Sequence, residues 1–153
     1  MTAPHPVTVI IAGPAVPKGR ARMTRRGVAY TPAKTRKYEA HGRLAAQLAM
    51  DGRPPLDMPC RLVALVELPI PASWSKRRRA AAIAGEIRPT SRPDLDNYVK
   101  AALDAVNGIV ITDDSLVVEL QAQKRYGVNP QVVLHITPLT AESAAAADRG
   151  RTC

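Results

Sequence analysis

Apolar residues fall along this chain in two rhythms. In the first, aliphatic and β-branched residues run together between turn formers, as in VTVIIAG (7–13), CRLVALVELPI (60–70), SLVVELQAQKRYG (115–127) and PQVVLHITPL (130–139). Such runs predict strands. The near-continuous apolar character of 60–70 puts that strand in the interior of a sheet. The turn signal at Gly127–Asn129 predicts that the last two strands form a hairpin. In the second rhythm, apolar positions recur at helical spacing. Tyr38, Leu44, Leu48 and the alanines predict a helix from about 32 to 50, with Thr31 as N-cap and Pro32 at the first helical position. DGRPPLDMP (51–59) breaks it. SWSKRRRAAAIAG (73–85) predicts a short basic helix capped by Ser73 or Ser75, followed by a loop. DLDNYVKAALDAVNGIV (94–110) predicts a second long helix that stops near Asn107–Gly108.

The segment PAVPKGRARMTRRGVAYTP (14–32) follows neither rhythm and reads as a basic loop with a short hairpin around Gly27. The order β-α-β-α-α-β-β predicts an α+β fold: a single domain with one mixed β-sheet and its helices packed on one face. At 153 residues one core suffices, with the domain over 1–139 and a disordered C-terminal tail over 140–153.

Composition narrows the function. Lys and Arg number 22 against 13 Asp and Glu, a net charge of +9 that favours a polyanionic partner. With no Phe and one Trp, the core must be aliphatic. Cys60 and Cys153 have neither zinc-site nor disulfide-framework spacing. His5, His41 and His135 stand alone and read as structural or solvated. No apolar run is long enough to span a membrane and no secretory leader pattern opens the chain, so the expectation is a cytoplasmic protein with no membrane partner.

Against that positive background, SRPDLDNYVK (91–100) sets Asp94 two residues from Asp96. At 100° per residue, Leu95, Val99, Ala102, Leu103 and Val106 form the face that packs on the sheet. Asp96, Asn97, Lys100 and Asp104 fall on the other side, with Asp94 at the helix start. Each carboxylate has an ordinary reading: Asp94 as an N-cap, Asp96 as an i,i+4 ion pair with Lys100. Asp113 and Asp114, in ITDDSLVV, change the balance. If the strand after them returns beside the helix, further carboxylates reach the same patch. Clustered carboxylates suit a hard cation such as Mg²⁺ or Mn²⁺, which activates water at a phosphate ester. The basic run Lys18, Arg20, Arg22, Arg25 and Arg26, and a second run from Lys76 to Arg79, suit a phosphodiester backbone. Lys34, Arg92 and Lys124 are further candidates for DNA contacts. The whole describes a metal-dependent nuclease.

RPDLDNYVKAALDAVNGIVITDDSLVVELQAQKRYG (92–127) closely resembles the signature region of RusA-type Holliday junction resolvases. The matching positions are Asp94, Asp96, Asn97, Lys100, Asp104, Gly108, Asp113, Asp114, Ser115, Lys124 and Tyr126. GPAVPKGRARMTRRGVAYTPAKTRKYE (13–39) is similar to the basic loop and YTP segment of phage-borne and prophage-borne members. The resemblance covers about 7 to 138. It implies a homodimer that cuts four-way junction DNA symmetrically with Mg²⁺ or Mn²⁺. It makes Asp94, Asp96 and Asp114 the catalytic, metal-binding aspartates and Lys100 the essential lysine, with Asn97, Asp104 and Asp113 in support. Tyr98 and Ala21 depart from the usual pattern, and Ala21 bears on the geometry of the DNA-contacting loop. Two other readings stand beside this one: a Mg²⁺-dependent branched-DNA or flap nuclease of the same fold, and a non-catalytic basic DNA-binding protein. Carboxylates facing phosphates count against the last.

Overall fold

A computed structural model describes residues 3–143 and 145. Strand β1 (Val7–Ala12) is followed by a two-stranded ribbon, β2 (Arg22–Met23) and β3 (Ala29–Tyr30). Then come helix α1 (Ala33–Met50), strand β4 (Cys60–Pro69), helix α2 (Lys76–Ile83) and helix α3 (Leu95–Val106). A 3-10 turn (Asp114–Leu116) leads into β5 (Val117–Gly127), and β6 (Gln131–Pro138) closes the sheet. The main sheet has the order β1-β6-β4-β5. β6 is antiparallel to both neighbours, with Val9 opposite Leu134 and Leu62 opposite Ile136. β4 and β5 run parallel, with Leu62 opposite Leu120 and Val66 opposite Lys124. The fold is thus the expected α+β arrangement with a mixed sheet.

β4 is interior, as its apolar run required, but it buries only alternate residues. Cys60, Leu62, Ala64 and Val66 enter the core, beside Val7, Val9 and Ile11 of β1 and Val132, Leu134 and Ile136 of β6. α1 and α3 cover this face, and α3 contributes Val99, Ala102, Ala105 and Val106. Trp74, just ahead of α2, meets Tyr126 of β5 edge-on at 5.2 Å between ring centroids. Tyr126 pairs with Leu68 and so shares the face of Leu62, which puts α2 on the same side.

The last two strands do not form a hairpin. β4 lies between them, bonded to both. A tight two-residue turn needs residues at positive φ, and Gly127 is not among the residues that adopt it. The link 128–130 instead carries the chain across the end of β4. The ribbon around Gly27 does form: Gly27 has φ +79°, and Gly27 N–H donates to Thr24 O at 2.9 Å. α1 starts one residue later than expected, since Pro32 has ψ 144° and caps without a side-chain bond. Ser75, not Ser73, caps α2, its hydroxyl accepting from Arg78 N–H.

Small residues bring α1 and α3 together. A Cβ on Gly42 would lie 2.8 Å from the Ala105 Cβ and 3.3 Å from Ile11 Cδ1. On intrinsic propensity alone, Gly to Ala inside a helix gains up to about 1 kcal/mol. Here Gly42→Ala is expected to lose about 1–3 kcal/mol by overpacking. A fall in the thermal midpoint, against the propensity trend, checks this.

Cys60 is a buried thiol that donates to Met58 O at 3.0 Å, and burial pushes its pKa up. His41 Nε2 bonds Ala12 O and His135 Nδ1 bonds Thr8 Oγ1, both structural roles. Cys153 and most of the expected tail lie outside the described residues. Residues 141–143 are helical, and Thr140 Oγ1 accepts from Ser143 N–H. Among the described residues no helix is long and apolar enough to cross a membrane.

Candidate active site

The twelve residues of α3 bury Tyr98, Val99, Ala101, Ala102, Ala105 and Val106. Its polar residues share one side. Asp96 and Lys100, one turn apart, stand exposed along it. They rim a groove of about 450 Å³ between α3 and β5, floored by Leu95, Val99, Leu103, Leu120 and Ala122. Asp94 occupies the N-cap position with extended dihedrals, yet its side chain makes no capping bond. Among the described residues, Asp94, Asp96, Lys100 and Asp114 form no ion pair. Neither the cap nor the i,i+4 pair is realised. Two carboxylates and an ammonium stand exposed around the first turns of one helix, with no ion pair among the described residues.

Asn97 and Asp104, seven residues apart, lie about 100° and 80° round the helix from Asp96, with Asp104 about 40° beyond Lys100. Asp104 thus shares their side of the helix, as expected, but its carboxylate is engaged elsewhere. Asp104 pairs with Lys18, which also meets Glu39 at 3.1 Å. The Asp104 carboxylate, with Glu39 beside it, holds the Lys18 ammonium above its ordinary pKa, against a desolvation that lowers it. The Lys18 backbone N–H donates to Asn97 O at 3.1 Å. Lys18, grouped by sequence with the phosphate contacts, is thus paired within its own chain, at the surface. It roots the basic loop against α3, one residue from Asp96. Beyond that root Arg20, Arg22, Arg25 and Arg26 are exposed along the β2–β3 ribbon, as is Lys34 in the first turn of α1.

Lys124 plays a comparable part on the other flank. Its Nζ donates to Ser91 O at 2.9 Å and to Pro93 O at 3.1 Å. It tethers the segment that delivers Asp94. Lys76 and Arg92 are exposed. Arg78 lies over the Trp74 ring, 3.9 Å from its centroid, so Trp74, Arg78 and Tyr126 make a cluster beside Lys124. Sequence reasoning missed this cluster, and the single Trp was the one available signal.

Asp113 and Asp114 lie elsewhere. Asp113 caps the 3-10 turn, its Oδ1 accepting from Ser115 N–H at 2.9 Å. Hydrogen bonds from Ser115 hold its carboxyl below the usual range. Asp114 is exposed in the turn itself. The loop that carries both joins the C-terminal end of α3 to the start of β5. It therefore sits at the end of the helix farthest from Asp94. Along β5, Val117 and Lys124 are seven residues apart, about 23 Å of strand. Asp94 and Asp96 are brought together, and Asp114 is not. Among the described residues no three carboxylate, histidine or cysteine side chains gather around one point that could hold a metal ion.

Comparison with known proteins bears on this arrangement. The sequence pattern that defines the family described as "Endodeoxyribonuclease RusA" matches residues 12–137. The chain is also 35% identical over 138 residues to "Uncharacterized protein YqaN" of Bacillus subtilis (strain 168), an alignment covering 86% of this chain and 95% of the relative. The match takes in the β2–β3 ribbon, α3, the 113–114 turn and β5.

Proposed function

Since the chain belongs to the RusA endodeoxyribonuclease family, we propose that it is a divalent-metal-dependent, structure-selective endonuclease that resolves four-way DNA junctions as a homodimer, by paired symmetric nicks. The observation that carries this reading is the exposed, unpaired set Asp94, Asp96 and Lys100, with a basic ribbon rooted one residue away at Asn97. A protein that only binds DNA gains nothing from carboxylates held toward phosphate.

The donor set suits the metal. Asp94 and Asp96 offer hard oxygen ligands on one turn, and Mg²⁺ is commonly held by one or two carboxylates, with water and phosphate completing its shell. When bound, such an ion supplies a nucleophilic water and neutralises charge on the phosphate. The other groups act directly on the DNA or on the site. Lys100, one turn beyond Asp96, stabilises the negative charge that grows on the phosphate as the bond breaks. The ribbon arginines hold the phosphodiester backbone and fix its register. Lys124 and Lys18 keep their charges for the protein, the one fixing the Asp94 segment and the other the base of the ribbon.

The test is cleavage of a mobile four-way junction, a flap and a linear duplex, each with Mg²⁺ and with EDTA. Cutting confined to the junction and abolished by EDTA supports the proposal. Equal cutting of the flap makes the chain a general branched-DNA nuclease. Binding without cutting makes it a DNA-binding protein. The ribbon has its own prediction. If Arg20 and Arg22 meet phosphates, replacing both with Ala lowers the slope of log affinity against log salt by about 0.9 for each contact. An unchanged slope removes the ribbon from the interface.

A further inference from the structure

Helix α2 opens with Lys76, Arg77 and Arg78 and has no acidic residue in its first turn. Positive charge at that end works against the helix. All three residues are exposed, and among the described residues none of them forms an ion pair. What sets α2 apart from a bare cationic patch is where one guanidinium lies. Arg78 Cζ sits 3.9 Å from the centroid of the Trp74 ring, and Trp74 in turn meets Tyr126 edge-on. The chain around the ring is pinned on both sides. Arg79 Nη1 donates to Pro71 O at 3.2 Å, and Ser75 caps the helix directly after Trp74. Arg78 is exposed and Trp74 half-buried, so the outer face of the guanidinium is open. A planar cation backed by an indole is a flat, positively charged surface held in one orientation.

This surface stands on the flank of the carboxylates. Tyr126 follows Lys124 by two residues on the same face of β5, a step of about 7 Å. The Lys124 ammonium holds Ser91 O and Pro93 O, just ahead of Asp94. Aromatic cluster, lysine tether and Asp94 segment are therefore consecutive along one wall. A strand whose phosphate is held at Asp94 and Asp96 runs beside that wall. Its phosphates ask only for charge there, whereas a flat face suits a base. Guanidinium planes and aromatic rings take nucleobases by stacking. A base inside an intact duplex must leave its neighbours to reach such a surface, and that costs least where pairing is already interrupted.

We propose that Arg78, backed by Trp74, is a stacking platform for one unpaired nucleobase of the DNA strand held at Asp94 and Asp96. A branch point offers such a base and a linear duplex does not, so the platform contributes to the choice of substrate. Lys76 and Arg77 hold the phosphates on either side of that base. The proposal rests on the nuclease reading for the course of the strand past Asp94. It goes beyond that reading by assigning a site for a base where charge alone indicates only backbone.

Binding in EDTA tests the platform without cleavage. The probes are a short oligothymidine and an abasic phosphodiester strand of the same length and charge. The wild-type chain should bind oligothymidine about ten-fold more tightly, since stacking tells the two apart and charge does not. Oligothymidine, and not the abasic strand, should change the emission of Trp74, the only tryptophan of the chain. Arg78→Lys keeps the charge and loses the planar face. It should bind the abasic strand as the wild type does, with the same salt slope, and lose the ten-fold preference. Equal affinity of the wild-type chain for the two strands overturns the platform. So does a preference that survives Arg78→Lys, or one that leaves Trp74 emission unchanged, because the base is then held elsewhere. A four-way junction against a linear duplex of the same sequence, again in EDTA, tests the link to substrate choice. Arg78→Lys should narrow the preference for the junction about ten-fold, and an unchanged preference overturns that link. A chain that passes these tests but cuts no branched DNA with Mg²⁺ overturns the nuclease reading and leaves the stacking site in place.

Discussion

Asp96→Asn is expected to slow junction cleavage on the order of 10³-fold, the scale on which removing one preorganised charge-handling group falls. The substitution keeps the shape of the side chain and removes its charge. Asp96 is exposed and in no ion pair among the described residues, so the fold loses only the charge's modest interaction with the N-terminus of α3. Thermal stability should stay within about 0.5 kcal/mol of wild type, as for other surface changes away from buried features. Junction affinity should hold or rise, since one negative charge facing phosphate has gone. Single-turnover cleavage, gel-shift affinity and a melting curve on the same preparation measure all three. Cleavage at the wild-type rate removes Asp96 from the site.

Lys100→Ala should cost cleavage about 10²-fold or more, again without loss of stability. The competing account makes Lys100 a structural ion-pair partner of Asp96 or Asp104. The structure gives Asp104 to Lys18, and among the described residues it leaves Lys100 in no ion pair at the rim of the α3–β5 groove. A positioned cation that acts on the transition state lowers the rate of the bound complex more than it weakens binding. The expected signature is therefore a fall in kcat with a small change in KM and an unchanged melting temperature. A lower melting temperature with normal specific activity would mark the lysine as structural.

Much of this was legible in the sequence, for identifiable reasons. The apolar faces of α3 and β4 follow from the periods of helix and strand, so Val99, Ala102 and Val106 could be assigned to the core in advance. The spacing of Asp94, Asp96 and Lys100 is local to one helix, and local spacing survives any tertiary arrangement. What failed was long-range. The glycine after Tyr126 suggested a hairpin, but a turn signal does not reveal that β4 needs a hydrogen-bonded neighbour on both edges. Asp104 was grouped with Asp96 because both lie away from the core. Only the arrival of Lys18 and Glu39 from distant segments takes the Asp104 carboxylate out of that set. Asp114 was expected to return to the patch, and the direction in which β5 leaves the turn decides that it does not. Lys124 looked like a phosphate contact because nothing in a sequence displays the carbonyls of Ser91 and Pro93 waiting for it.

The position of β6 governs when this enzyme can exist. Among the described residues, the last strand in sequence is the one that lies between β1 and β4, and β1 has no other partner in the main sheet. Until Pro138 has left the ribosome, the first strand has nothing to pair with and the core face of the sheet is split in two. Closing that gap joins residues about as far apart in sequence as the domain allows, the kind of contact that forms late. A nascent chain therefore carries its basic ribbon and its acidic helix before it has the scaffold that sets one against the other. A polypeptide that stops short of β6 keeps the β4–β5 pair but, among the described residues, leaves β1 with no neighbour in the main sheet, so the two halves of the core face stay unjoined.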